Sequence, residues 1–65
     1  MTWTQQSKGE WSADTGTAYL RVVQVGWRLW KWTVTADDRT VSSGVKLTMD
    51  SAQRAAQASA KKEGL

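Results

Sequence analysis

From Ala18 the chain reads AYLRVVQV, a β-branched and aromatic run; Gly26 interrupts it, and WRLWKWTVT then resumes the same chemistry. Such runs predict strands. Gly26 marks either a tight hairpin, the preferred reading, or a bulge in one long bent strand. After Thr35 comes ADDR, a polar break in which Asp37 and Asp38 can bond their own backbone and tolerate turn geometry. TVSSGVKL, Thr40 to Leu47, predicts a third strand with Val41, Ser43, Val45 and Leu47 on one face and Gly44 as a bulge or close-approach point.

The period changes at Thr48. TMDSAQRAAQASAKKEGL is dominated by Ala, Gln, Lys and Arg, and predicts a helix over about 49–62. Thr48 is suited to the N-cap, with Asp50 near the positive end of the helix dipole; Asp50 with Gln53 is a competing cap. Lys61, Lys62 and Gly64 mark the end. The face to be buried runs through Met49, Ala52, Ala55, Ala56, Ser59 and Ala60, all but Met49 small. Residues 1–17 are polar, with Trp3 and Trp11 as the only large apolar anchors between Thr2 and Thr17. They read as an N-terminal arm, compatible with a short strand around Trp11. The predicted fold is therefore α+β. Residues 18–65 form a single βββα domain, a three-stranded antiparallel sheet (with a short extra N-terminal strand as an option) packed on one face by the C-terminal helix.

Alternation along WRLWKWTVT puts Trp30, Trp32 and Val34 on one face and Trp27, Leu29, Lys31, Thr33 and Thr35 on the other. An alanine-lined helix lets the sheet approach closely, and large side chains from the sheet must fill what space remains. The predicted core is accordingly Trp30, Trp32, Val34, Val45, Leu47, Ala52 and Ala56. A stacking surface for single-stranded nucleic acid is the alternative use of Trp30 and Trp32. Trp27 and Leu29 form a candidate interaction surface, either a binding patch or a homodimer seam. Alternatively the N-terminal arm folds back, with Trp3 or Trp11 covering Leu29.

Composition narrows the function. A chain of 65 residues is one domain, and at this length folding buries only about 60% of the unfolded surface. The sequence holds no Cys and no His, which removes disulfides and the usual structural-zinc ligands. It also leaves no side chain that ordinarily titrates near neutral pH. Nucleophile-elbow, phosphate-loop and dinucleotide motifs are absent. No enzyme activity, cofactor, metal or small-molecule substrate is expected. The first residues show no signal-peptide pattern and no window approaches a membrane span, so a cytoplasmic protein without a membrane partner is expected. Net charge is +3 and the sequence pI about 9.7, which permits an anionic partner.

The order strand, strand, strand, helix, with WKWTV on the middle strand and T-x-x-S-A-x-x-A-A opening the helix at Thr48, resembles the arm-type DNA-binding domains of phage and transposon integrases. More distantly it resembles plant AP2 domains. The resemblance spans Leu20 to Lys61; Leu47 stands where those families usually have an aromatic, and Ser51 where they often have Glu. It implies a sheet laid in the DNA major groove, with Lys31 and Thr33 projecting from the middle strand and Arg21, Arg39 and Lys46 as phosphate contacts. Weak DNA binding through the exposed sheet face is the function so implied. A protein-interaction module or small phage-type regulator, using the same face or a homodimer, is the competing class.

Overall fold

The computed structural model describes residues 2–64. Five strands, β1 (Thr4–Ser7), β2 (Glu10–Asp14), β3 (Tyr19–Gly26), β4 (Leu29–Ala36) and β5 (Arg39–Lys46), precede one helix, α1 (Met49–Lys62). Each strand pairs antiparallel with its neighbour in sequence, giving one sheet in the order β1-β2-β3-β4-β5. The class is α+β, but the sheet has five strands rather than three. The two additional strands lie in the segment expected to be an arm. Their sequence hides them: β1 is TQQS, exposed throughout, and is held by ladder hydrogen bonds instead of an apolar stripe. In β2 only Trp11 and Ala13 show the alternation, and they register against Val22 and Leu20.

The helix runs as its sequence predicts. Thr48 caps it by accepting a hydrogen bond from the Ser51 amide, and Gly64, at φ 76°, follows the last turn. Ala52, Ala56 and Ala60 are its buried residues. The two-residue turn between β4 and β5 holds Asp37 at φ 54° and Asp38 at φ 61°. Both central residues are thus left-handed, the arrangement whose twist matches that of the flanking strands.

Cross-strand partners share a face, so the register assigns every strand residue to a side. The helix side carries Trp11 and Ala13, then Leu20 and Val22, then Trp30, Trp32, Val34 and Ala36. Leu20, Val22 and Val34 are the large side chains that are fully buried; alanines 13, 18, 36, 52, 56 and 60 complete the core. Trp30 and Trp32 lie on this side but are only half-buried. The expected tryptophan core is therefore corrected: the alanine helix comes close enough for Leu20 and Val34 to meet it, which leaves the wide indoles at the margin. Trp3 and Trp32 pack against the edge of the cluster, and the indole Nε1 of each is buried without a hydrogen-bond partner.

The third strand of the sequence reading is also corrected. Register sets Gly44 opposite Trp32 and Ser42 opposite Val34, so Ser42, Gly44 and Lys46 take the helix side. Val45 and Leu47, expected in the core, are 53% and 68% exposed. The cause is the Trp32 ring. A Cβ at position 44 would lie 2.7 Å from the Trp32 Nε1, a separation that only glycine avoids, and this fixes the phase of β5. A bulge between Thr40 and Ser42 returns Val41 to the helix side, where it packs on the core. The Ser42 and Ser59 hydroxyls are hydrogen-bonded, tying β5 to the helix.

Candidate binding surface at the hairpin end

The sheet face away from the helix is polar. Its rows, read across the strands, are Glu10, Val23, Lys31 and Val45; Ser12, Arg21, Thr33 and Ser43; and Asp14, Tyr19, Thr35 and Thr40. Of the residues expected to contact DNA, Arg21, Lys31 and Thr33 share this face. Arg39 and Lys46 do not, because they register against Ala36 and Trp30, which belong to the helix side. Arg21 is moreover occupied: its Nη2 and Nε donate to the two carboxylate oxygens of Glu10 at 3.1 and 3.3 Å. That hydrogen bonding raises the guanidinium pKa above its ordinary value, with partial burial opposing it. With Glu10 and Asp14 set against Arg21 and Lys31, the four charged side chains of these rows cancel, and the face has no net positive charge.

Apolar exposure is concentrated elsewhere. Among the described residues the exposed large hydrophobics are Tyr19, Val25, Trp27, Leu29, Val45 and Leu47. All but Tyr19 lie where β3 turns into β4 and where β5 ends. A bulge between Gln24 and Gly26 leaves Val25 as the extra, outward residue. Trp27 and Arg28 form the turn itself. The β4–β5 register, Trp30 to Lys46, brings Leu47 beside Leu29 when carried one step further. Trp27 is 83% exposed, and neither Trp3 nor Trp11 folds back over Leu29, since both go to the helix side.

Arg28 sits at φ 62°, a region that costs a non-glycine residue about 1–2 kcal/mol. There its guanidinium carbon lies 4.7 Å from the centroid of the Trp27 ring, a cation–π contact. The sheet end also gathers Lys8, from the β1–β2 turn, with Arg28, Lys31 and Lys46. The two acids at this end are both tied to another arginine: Glu10 to Arg21 and Asp50 to Arg54, each at 3.1 Å. Among the described residues the opposite end holds Asp14, Asp37, Asp38 and Glu63 together with Arg39, Lys61 and Lys62. The chain's positive charge thus resides at the hairpin end, together with its exposed apolar residues.

Sequence reasoning singled out Trp27 and Leu29 as an interaction surface, and reached Lys31 and Lys46 only as expected DNA contacts of the sheet face. It missed Val25, Val45 and Leu47, because two bulges and the Gly44 register decide which way they point. It also missed Lys8, which comes near only because residues 4–14 are strands. Among the described residues no group of three or more acidic side chains is placed to hold a metal ion, and no helix is long and apolar enough to cross a membrane. Comparison with protein-family models, curated proteins and solved structures finds no match.

Proposed function

We propose that the protein is a non-enzymatic binding module that meets an anionic partner end-on, through Val25, Trp27, Leu29, Val45 and Leu47 and the cations around them. The observation that carries this reading is the coincidence at one end of the sheet of five of the six large apolar side chains exposed among the described residues and four cations that make no ion pair with a described acid. A monomeric domain rarely leaves such a patch uncovered unless something docks on it. The open sheet face, which the integrase resemblance would lay against DNA, supports binding less well, because its arginine is paired and two of its five expected contacts lie on the other side. A stable homodimer through the patch is disfavoured by size. A standard interface buries about 800 Å² on each partner, whereas one large aromatic supplies about 150–250 Å² and the four aliphatic neighbours are partly covered.

Chromatography on an immobilised sulfated polyanion tests the reading. Arg28→Glu with Lys46→Glu removes charge from the hairpin end, and Lys61→Glu with Lys62→Glu makes the same change in net charge at the helix C-terminus. The first variant is expected to elute at markedly lower salt than the second, which should stay close to the parent. Equal shifts for the two variants would mean that only net charge matters and that the hairpin end is no binding surface. A partner on the sheet face would instead respond to Arg21→Ala and Thr33→Ala, both one row further from the hairpin end, and be indifferent to Arg28→Glu.

A further inference from the structure

Resting on that reading, we propose that the anionic partner is a lipid surface, and that the Trp27 turn enters the headgroup layer of a membrane containing acidic phospholipids. The shape of the end is the first reason. Trp27 is the apex of a two-residue turn and is 83% exposed, so it is a projection and not the wall of a groove. The molecule measures 31 × 19 × 19 Å. An eight-residue strand is about 26 Å long, which places the strands along the long axis and the hairpin end at the narrow cross-section. A narrow end whose exposed apolar side chains are one tryptophan and four partly covered aliphatics offers little of the roughly 800 Å² a side that a standard protein interface buries, whereas insertion into a headgroup layer needs only a few side chains.

The chemistry of the end is the second reason. A tryptophan favours the boundary between water and hydrocarbon, because its ring is largely apolar and its N–H is polar. Val25, Leu29, Val45 and Leu47 behind it are purely aliphatic. Lys8, Arg28, Lys31 and Lys46 supply the cations that an acidic leaflet attracts, and both acids at that end are engaged by arginines. Membrane contact of this kind requires no spanning segment. A single-stranded nucleic acid fits the charge but not the ring. Such ligands stack successive bases on several aromatics, and this end exposes one, with a face of it taken by Arg28.

Co-sedimentation of the full chain with vesicles of phosphatidylcholine containing an equal part of phosphatidylglycerol, against vesicles of phosphatidylcholine alone, tests the proposal. Binding to the acidic vesicles, a blue shift of tryptophan emission, and little binding to the neutral ones are expected. Trp27→Ser with Leu47→Ser should weaken binding by about tenfold or more, the loss expected when the inserted apolar area is removed, with the circular dichroism unchanged. If the parent is retained on the polyanion but ignores acidic vesicles, the lipid proposal fails and the contact surface stands. If neither binds, both fail. Unchanged vesicle binding by the double variant would reduce the contact to charge and overturn the insertion. Tighter binding to an oligothymidylate, lost in the same variant, would make nucleic acid the partner instead.

Discussion

Leu20→Ala should leave the domain largely unfolded at room temperature. Leu20 is fully buried, stands between Ala13 and Val34 in the sheet, and belongs to the cluster that includes Ala56 and Ala60 on the helix. Truncation of such a leucine costs about 3–5 kcal/mol, the larger values where the surroundings cannot collapse into the cavity. The buried cluster around it is otherwise five alanines and Val34, side chains too short to reach into the space a leucine leaves. A domain of this length has only about 3–10 kcal/mol of stability to lose. Urea denaturation followed by circular dichroism is the measurement. A cooperative transition with an unshifted midpoint would show that the core lies elsewhere.

Gly44→Ala is the second large effect, and it depends on one contact. The added Cβ would lie 2.7 Å from Nε1 and 2.8 Å from two ring carbons of Trp32. The obstacle is a rigid indole packed against the core cluster, not the end of a mobile chain. Overpacking of this kind costs about 1–3 kcal/mol, and its position in the register of β5 favours the upper part of that range. Trp32→Val removes the ring, so in that background Gly44→Ala should be nearly neutral. The two changes should therefore couple by about 2–3 kcal/mol in a double-mutant cycle. Additive effects would mean that Gly44 is required for some reason other than the indole.

How much of this was legible in the residues differs element by element. The helix could be read to its ends, since the Thr48 cap, the alanine stripe and Gly64 are local signals that tertiary packing had no cause to override. The hairpin at Gly26 and the Asp37–Asp38 turn were legible for the same reason. The strand β2 was legible only as an optional short strand around Trp11, and β1 was not, because an exposed edge strand such as TQQS is stabilised by pairing and leaves no periodic mark. The face of β5 was misassigned because alternation is only as good as its phase, and the phase was set by Trp32 across the sheet and broken at Val41. The tryptophans misled by size. Their bulk makes them look like core, yet a helix lined with alanine is served better by Leu20 and Val34.

The candidate surface was half legible for reasons that follow from the fold. Trp27 and Leu29 were suspect from parity alone. The charges could be counted but not placed, since Arg21 loses its freedom to Glu10 only through the β2–β3 register, and Arg39 and Lys46 change sides with the phase of β5. What emerges is a separation of roles along the sheet. Small and aliphatic side chains near its middle and at the helix form the buried cluster that holds the fold, while the exposed apolar ones at the hairpin end lie outside that cluster.

Thermal unfolding of the Trp27→Ser, Leu47→Ser double variant measures that separation directly. Two exposed side chains outside the core should leave the transition cooperative and its midpoint within about 5 °C of the parent, the shift that roughly 1 kcal/mol produces in a domain of this size. A midpoint lowered by about 15 °C or more, or loss of the transition, would show that the hairpin end is part of what holds the chain together, and that its exposed tryptophan is not there for a partner.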